Sequence, residues 1–425
     1  MHIFLTILLW TSYFVTLYVG IYWLVTYAEK YSEFKNEKSA TALAEFPFVS
    51  VIIPAYNEEA TIKKTAQSVL ALNYPHDKLE LIMVNDGSTD KTLQIMENIK
   101  KRYAERNIKL ISHKNAGKAA SMNRAIWQAK GEYFACLDAD SFVDRQNLRK
   151  MIAMFQKDLE LTIVTPAMKV KSPKTWLQKF QRLEYITSIF FMRIMGHFDM
   201  IYVAPGPFSV YKKNVVKKLG GFEVGNLTED MEIAYRMQKY HYKIRQCHDA
   251  YVHTIAPRNL RELYKQRNRW YKGGFINFLK YRQTFLNPSY GDFGMFMMPI
   301  VLCLYLFSIL TLAFTAYFTF NPLWNGLRDL FLIKFNLAPY IRDLLNFDFT
   351  WNILNLGFSR FSVLILLFGI SFALLYIAHK NANESMKKYG VLHLVPYTFF
   401  YFVILSAFVF VILGQTVVRA KQQKW

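Results

Sequence analysis

The sequence predicts an α/β domain, Rossmann-like with a mostly parallel sheet, together with α-helical transmembrane segments. Two observations predict this. Apolar runs rich in β-branched residues alternate with helical stretches between residues 48 and 166, a pattern typical of βαβ units. Charge-free runs flank this charged middle part on both sides, and runs of about 20 apolar residues are long enough to cross a bilayer.

The composition agrees with such a division. The 425 residues carry a formal net charge of +21, and 53% of them are hydrophobic. A positive excess beside long apolar runs suits a membrane surface and an anionic substrate. No nucleic-acid-binding motif accompanies it, so nucleic acid is not expected as a partner. The cysteines Cys136, Cys247 and Cys303 lack metal-ligand spacing, which fits a reducing, cytoplasmic location.

The amino-terminal run, Ile3 to Ala28, contains no charged residue. It lacks a basic region before it and a clear cleavage site after it, so a retained transmembrane anchor is predicted rather than a removed signal peptide. Lys30, Lys35 and Lys38 follow. The positive-inside rule therefore predicts an integral protein of the plasma (cell) membrane whose middle part is cytoplasmic.

The middle part is predicted to alternate strands and helices. Strands are expected at residues 48–54, 79–85, 108–112, 133–137 and 161–166. Helices are expected at residues 58–72, 91–103, 117–130, 174–195, 229–240 and 259–281. The last of these is rich in Arg, Lys, Tyr and Trp and precedes an apolar run, which is typical of an interfacial helix.

Three spans are predicted on the carboxyl side, at residues 293–320, 361–378 and 392–411. Residues 321–360 are too charged for a simple span, so amphipathic or re-entrant helices are expected there. With one amino-side span, this count places the carboxyl terminus outside, where Arg419, Lys421 and Lys424 conflict with the positive-inside rule. One further span within 321–360 would remove the conflict, and the number of spans stays open.

Two carboxylates follow the strand predicted at residues 133–137. Side chains at i and i+2 of an extended backbone point the same way, so Asp138 and Asp140 can face one ligand. Such close carboxylates repel each other unless a cation lies between them, and Mg²⁺ or Mn²⁺ is therefore the expected cofactor. The carboxyl end of a buried strand is where open α/β sheets bind ligands. The alternative is a strand followed by a polar turn.

Three more features at strand or helix ends could bind a nucleotide. The loops at residues 54–59 and 85–90 offer the aromatic face of Tyr56 and the carboxylate of Asp86. Helix capping and turn formation explain other residues of these loops equally well. Lys118 begins a predicted helix, where a positive charge opposes the helix dipole. A lysine at that end indicates an anionic ligand.

Two polar groups remain near the end of the middle part. Asp230 is the better candidate for a general base that takes a proton from an incoming hydroxyl, whereas Glu229 fits compensation of the helix dipole. Gln266, Arg269 and Trp270 share one helix face. Arginine suits a diphosphate and tryptophan suits stacking on a sugar. The alternative is an interfacial helix with a snorkelling arginine and a belt tryptophan.

Taken together, six motifs resemble those of family 2 processive glycosyltransferases, which include cellulose, chitin, hyaluronan and poly-N-acetylglucosamine synthases. In order they are Pro54-Ala55-Tyr56-Asn57-Glu58, Asn85-Asp86-Gly87-Ser88, Gly117-Lys118-Ala119, Asp138-Ala139-Asp140, Thr228-Glu229-Asp230 and Gln266-Arg267-Asn268-Arg269-Trp270. The resemblance covers about residues 46–281 and implies a GT-A fold that uses a nucleotide-diphosphate sugar.

The resemblance also implies a role for each site residue. The nucleotide and the rest of the substrate would be held by Tyr56, Glu58, Asp86, Lys118, Asp138, Glu229, Gln266, Arg269 and Trp270. Asp138 and Asp140 would hold the metal, and Asp230 would be the catalytic base. Residues 204–209 depart from the family by replacing a Ser/Thr-Gly pair with a small apolar stretch, which leaves the acceptor pocket and the sugar open.

The resulting expectation is a membrane-embedded inverting glycosyltransferase. It would transfer sugar from a UDP-sugar, with UDP-N-acetylglucosamine as the first choice, to a growing β-linked polysaccharide and help to translocate it. Single transfer to a lipid acceptor is an alternative, as are a non-catalytic saccharide-binding membrane protein and a basic scaffold for anionic lipid or nucleic acid. A partner subunit or a homo-oligomer stays open.

The expected domains are an amino-terminal transmembrane helix at residues 1–28, a GT-A domain at 46–257, an amphipathic helix at 258–290 and a transmembrane region at 291–425.

Overall fold

The structure, a computed structural model, describes residues 2–36, 43–332, 334, 358–388 and 392–422. They form two compact units. The α/β unit comprises the described parts of Lys30–Leu302 and Ile377–Val395. The helical unit comprises the described parts of Met1–Glu29, Cys303–Tyr376 and Pro396–Trp425.

The strands are β1 (Val49–Ala55), β2 (Leu79–Asp86), β3 (Ile108–His113), β4 (Tyr133–Cys136), β5 (Phe142–Val143), β6 (Leu161–Val170), β7 (Ser209–Lys212) and β8 (Lys243–Thr254). The α-helices of the α/β unit are α2 (Tyr31–Asn36), α3 (Ile62–Leu70), α4 (Thr92–Arg102), α5 (Lys118–Gln128), α6 (Asn147–Lys157), α7 (Trp176–His197), α8 (Lys213–Lys218), α9 (Glu229–Lys239) and α10 (Leu260–Lys280). Short 3₁₀ turns lie at His76–Lys78, Arg282–Thr284 and Pro288–Tyr290.

The eight strands form one sheet in the order β3-β2-β1-β4-β7-β6-β8-β5. Strands β1 to β4 are parallel, and every residue of β1 and β2 is buried, as expected for a sheet covered on both faces. The predicted α/β class and mostly parallel sheet are therefore confirmed. Because β1, β2 and β4 run the same way, their carboxyl ends, which carry the predicted site loops, meet at one edge.

Strand β7 departs from the predicted βαβ pattern because it returns antiparallel beside β4, with Cys136 opposite Ser209. The sequence did not predict β5, α6, β7, α8 or β8. The longest of them, β8, is only partly buried and alternates with polar residues, so it lacks the apolar run that marked the other strands. Strand β7 is only four residues long and follows a proline-glycine turn, so the sequence pattern does not reveal it as a strand.

In the helical unit the α-helices are α1 (His2–Glu29), α11 (Met298–Leu332, which starts in the α/β unit), α12 (Phe358–Asn381, which ends in it), α13 (Leu394–Pro396) and α14 (Phe402–Gln422). A π-helical turn lies at Tyr397–Tyr401, and another, at Phe293–Met297, belongs to the α/β unit. Among the described residues, two helical segments, Thr6–Glu29 and Phe293–Leu332, are long and apolar enough to cross a membrane. Large side chains on them are solvent-exposed, such as Phe14 at 71% and Trp324 at 69%, which points to membrane association.

The third predicted span coincides with α12. The fourth, at residues 392–411, covers α13, the π-helical turn at Tyr397–Tyr401 and only the first half of α14, which continues to Gln422. That these segments cross a membrane stays a prediction. Helix α11 continues past Phe320 to Leu332 with Pro322 inside it. The first part of the charged segment is therefore one helix with the preceding apolar run. Residues 335–357, where further amphipathic or re-entrant helices were predicted, lie outside the described residues.

Candidate active site

The loops after β1 and β2 are tied together by side chain to backbone hydrogen bonds. Asn57 lies in the left-handed region, with φ of 56°, and its Oδ1 accepts the Thr89 amide at 2.8 Å. The Glu58 amide donates to Thr92 Oγ1 at 2.8 Å. These bonds fix the loop that carries Tyr56, whose side chain is 47% exposed, and Glu58 at the edge of the sheet.

Asp86, at the end of β2, is buried and holds the segment that leads into α5. Its two carboxylate oxygens accept the amides of Ala116 at 2.7 Å and Gly117 at 3.0 Å. The neighbouring Gly87 has φ of 72°, and a Cβ there would lie 2.6 Å from a backbone nitrogen. The predicted nucleotide contact of Asp86 stays a prediction; in the structure this carboxylate positions the start of α5, and thereby Lys118.

Lys118 joins two motifs that are more than 80 residues apart in the chain. Its ammonium group lies 2.6 Å from Asp138, after β4, and 3.0 Å from Glu229, at the start of α9. Gly206 leaves room for this contact, because a Cβ there would lie 2.7 Å from Lys118 Nζ. Burial lowers the pKa of Lys118, but the charges of Asp138 and Glu229 raise it well above its usual value. The lysine is therefore a fixed positive charge.

Asp140 and Glu58 add further negative charge to this edge. Burial and the charge of Asp138 raise the pKa of Asp140. Burial also raises the pKa of Glu58, and the charges of Asp140 and Asp138 add to the effect. A cation near Asp138 and Asp140 would relieve this repulsion. The described residues contain no group of three or more side chains with metal-ligand geometry, so substrate or water oxygens would have to complete the coordination sphere.

Asp230 follows Glu229 on the first turn of α9. Its Oδ1 accepts a hydrogen bond from the Met231 amide at 2.9 Å. Burial and the charge of Glu229 raise the pKa of Asp230 to about 6, although Lys118 and Arg269 lower it. A carboxylate with a pKa close to the working pH is suited to general-base catalysis.

Helix α10 packs against Thr228, the residue that precedes Glu229 and Asp230. Gly273 packs against the Thr228 side chain so closely that a Cβ would overlap its hydroxyl. Asn277 is fully buried and donates to Thr228 Oγ1 at 3.0 Å. Tyr281, just beyond the helix, donates to Glu232 of α9 at 2.6 Å. The helix with Gln266, Arg269 and Trp270 is thus locked to the helix with Asp230.

The face of α10 that holds Gln266 and Trp270 is ordered by a residue between them. Arg267 is 3% exposed, donates to Glu184 of α7 at 2.7 Å, and lies 4.4 Å from the centroid of the Trp270 ring. Among the described residues, Gln266 Oε1 is one of the buried oxygens without a hydrogen-bond partner. A buried acceptor of this kind is suited to a ligand hydroxyl.

The structure thus brings Lys118, Asp138 and Glu229 into direct contact, and it places Asp230, Arg269, Asp140 and Glu58 within electrostatic reach. Sequence reasoning missed Glu184, Arg267 and the contact of Gly273 with Thr228. Arg267 was present inside a recognised motif, but its partner lies 83 residues away. Local spacing gives no signal for such a pair.

Comparisons with known proteins agree with this fold. The chain superimposes on the mannosyltransferase PcManGT from Pyrobaculum calidifontis, solved in complex with GDP-Man and Mn²⁺, with a TM-score of 0.60 and 18% identity over 97% of this chain and 98% of that one. At this identity the likeness concerns the fold alone. The α/β unit therefore has the GT-A fold of glycosyltransferases.

Residues 50–220 match the sequence model of the family described as glycosyl transferase family 2. The chain therefore carries a glycosyl transferase family 2 domain, as its motifs predicted. It is 32% identical over 282 residues to a poly-beta-1,6-N-acetyl-D-glucosamine synthase of Staphylococcus epidermidis, covering 64% of this chain and 66% of that protein. A synthase of the same name from Staphylococcus aureus strain COL is 32% identical over 61% of this chain and 64% of its own length. The chain thus spans slightly less than two thirds of these relatives.

Proposed function

We propose that this protein is an inverting glycosyltransferase that transfers N-acetylglucosamine from UDP-N-acetylglucosamine to a growing β-linked polysaccharide. The catalytic unit works at the cytoplasmic face of the plasma membrane, and the apolar helices hold it there and form a path for the product. The observation that carries the proposal is the pair of contacts made by Lys118. One ammonium group links the carboxylate of a donor-binding motif, Asp138, to the helix start that bears the base, Asp230.

In the reaction, Asp230 accepts the proton of an acceptor hydroxyl. The hydroxyl oxygen then attacks the anomeric carbon of the donor from the face opposite to UDP, the bond from that carbon to the diphosphate oxygen breaks, and UDP leaves with the bonding electrons. Lys118 and Arg269 supply positive charge beside the departing diphosphate. Gln266 accepts a hydrogen bond from a sugar hydroxyl, and Trp270, held by Arg267, stacks on the acceptor end.

A divalent cation belongs to this proposal. Asp138 and Asp140 are the residues that would hold it, and the raised pKa of Asp140, caused by burial and by Asp138, fits a site that needs a cation. When bound, such an ion neutralises negative charge on the diphosphate. The Mn²⁺ in the complex of the mannosyltransferase with the same fold supports a divalent ion, and Mg²⁺ or Mn²⁺ would serve here.

The choice of sugar and acceptor is supported by the staphylococcal relatives, whose names specify a poly-N-acetylglucosamine product. Single transfer to a lipid acceptor is the second candidate, because the apolar helices also suit a lipid substrate. A non-catalytic saccharide-binding role fits less well with an ion-paired lysine, a buried acceptor oxygen and a carboxylate of raised pKa near one edge.

The proposal is tested with the purified full-length protein in detergent, incubated with a panel of UDP-sugars and Mg²⁺ or Mn²⁺. UDP release is measured for the wild type, for Asp230→Asn, and for Asp77→Asn as a control carboxylate exposed in a distant turn. We expect the wild type and Asp77→Asn to release UDP from UDP-N-acetylglucosamine, and we expect Asp230→Asn to release none. Measuring the size of the product then distinguishes polymer synthesis from a single transfer. Equal UDP release by Asp230→Asn and the wild type would show that Asp230 is not the base.

A further inference from the structure

A second charged cleft lies in the α/β unit, between the ends of β6 and α7 and the segment that follows α12. Its volume is about 220 Å³, and its charged lining residues are Lys169, Lys171, Arg182, His253, Glu384 and Lys388. None of these residues belongs to the six motifs described above. The cleft therefore has no role in the proposed transfer reaction.

The described lining is strongly unbalanced in charge. Glu384 is the one acidic residue among the lining side chains, against three lysines and one arginine. Its carboxylate is already shared, at 2.7 Å from Arg182 Nη2, 3.6 Å from Lys169 Nζ and 3.7 Å from Lys388 Nζ. A net excess of three positive charges remains when His253 is neutral.

Some of the charged residues that line the cleft hold the segment after α12 in place, but this role does not account for all of them. Lys169 is buried, donates to the Ala382 carbonyl at 2.6 Å and lies 3.6 Å from the Tyr251 ring centroid. With Arg182 and Glu384 it fastens the segment to β6 and α7. Lys171 and Lys388 are exposed at the rim. Lys388 makes the longest of the three ion pairs with Glu384, at 3.7 Å, and Lys171 Nζ lies 4.4 Å from the Phe142 ring centroid. Among the lining residues, one carboxylate therefore faces four cationic side chains.

We propose that this cleft binds a phosphate group, carried either by an anionic lipid headgroup or by a soluble phosphate compound. Arg182 and Lys169 are held in place by Glu384 at the base, and Lys171 and Lys388 close on the anion from the rim. The volume equals that of roughly seven water molecules at about 30 Å³ each, which accommodates a phosphate and part of its substituent. Arginine and lysine together are the side chains that bind phosphate best.

Binding would offset part of the excess charge and tie the segment after α12 more firmly to the sheet. The inference is independent of the proposed transfer reaction, since it rests on residues outside that site. It predicts that the anion stabilises the folded protein by an amount that rises with the logarithm of the anion concentration once this exceeds the dissociation constant.

The test is isothermal titration of the full-length protein in a neutral maltoside detergent, with no nucleotide added, since UDP is itself a phosphate compound and would compete for the cleft. The probes are inorganic phosphate and monomeric dihexanoyl phosphatidylglycerol, with dihexanoyl phosphatidylcholine as the neutral headgroup. The variants are the double substitution Lys171→Gln with Lys388→Gln, and a matched control, Lys100→Gln with Lys101→Gln, on the exposed side of α4. Both pairs are exposed, and thermal unfolding checks that each variant folds.

We expect saturable binding of at least one anionic probe to the wild type and the control, weakened roughly tenfold in the cleft variant because two charges are lost. Binding of phosphate alone assigns a soluble ligand, and binding of phosphatidylglycerol alone assigns a lipid headgroup. Equal binding by the cleft variant and the wild type, or no saturable binding of either anion, would overturn the proposal.

Discussion

Gly273 of α10 packs directly against the side chain of Thr228, and this contact sets the distance between the helix of the Gln266 motif and the helix that bears Asp230. The sequence marks Thr228 as part of a motif and gives no reason to single out Gly273. The fold explains it, because only a residue without a Cβ lets α10 come so close. The first prediction follows from this contact.

Gly273→Ala should separate α9 from α10. The added methyl group would overlap the Thr228 hydroxyl and lie 2.7 Å from its methyl carbon, and both belong to a buried residue. Overpacking of this kind costs about 1–3 kcal/mol. We expect a lower unfolding temperature. Separation of the two helices should also lower kcat/KM by about tenfold, which corresponds to about 1.4 kcal/mol of lost transition-state stabilisation.

The matched control is Gly326→Ala, in α11, where a Cβ would meet nothing within 4 Å. Alanine is the better helix former by about 1 kcal/mol, so this variant should be as stable as the wild type or more so. Equal behaviour of the two variants would contradict the importance of the Gly273 contact.

Glu184→Gln should impair the protein through Trp270. The substitution removes the charge partner of Arg267, which is buried and lies against the Trp270 ring. Loss of a charged hydrogen bond costs about 2 kcal/mol. We expect KM for the acceptor to rise and the free energy of unfolding to fall, measured by kinetics and by denaturant titration.

Glu160→Gln is the corresponding control, because Glu160 pairs with Lys243 at the surface and its side chain is 72% exposed. Exposed pairs contribute about 0–1 kcal/mol. An effect of Glu184→Gln no larger than that of Glu160→Gln would show that Arg267 does not depend on its partner.

The rate should fall below about pH 6. Burial and the charge of Glu229 raise the pKa of Asp230 to about 6, and only the deprotonated carboxylate can accept the acceptor's proton. Below this pH the rate should fall tenfold per pH unit, because the fraction ionised falls by that factor. The profile of kcat/KM against pH measures it.

Glu229→Gln should move this acidic limb to lower pH, since it removes a negative charge that raises the pKa of Asp230. A limb that stays in place, or moves to higher pH, would contradict the assignment of Asp230 as the titrating base.

Removal of divalent ions with EDTA should abolish UDP release, and Mg²⁺ or Mn²⁺ should restore it. Asp140→Asn should need at least about tenfold more metal for half-maximal rate, because one of two carboxylate ligands is lost. Full activity in EDTA would contradict the metal assignment, and Asp77→Asn serves as the control.

The parts of the molecule that the sequence predicts are those with strong local patterns. Strands β1, β2 and β4 are continuous apolar runs, and the loops after them carry the motifs, so their shared edge follows from parallel pairing. Lys118 can contact Glu229 because of where β7 lies in the sheet, and the local sequence pattern does not reveal this antiparallel strand. It brings Gly206 and the start of α9 beside β4.

Contacts between residues on helices that are far apart in the sequence could not be predicted either. In the sequence, Glu184 is one residue of the helix predicted at 174–195, and Arg267 lies within the Gln266 motif without a role of its own. Their partnership depends on how α7 and α10 pack, which no spacing rule encodes. The strand β8 was missed because its partly buried, polar alternation resembles a surface loop.

UDP release from UDP-N-acetylglucosamine by Asp230→Asn, measured beside UDP binding by the same variant, is the sharpest test of a base that lies next to the donor site at Lys118. We expect release to be lost while UDP binds within about twofold of the wild type, a difference of less than about 0.5 kcal/mol. Undiminished release by the variant, or no binding of UDP by folded wild-type protein, would rule out this arrangement.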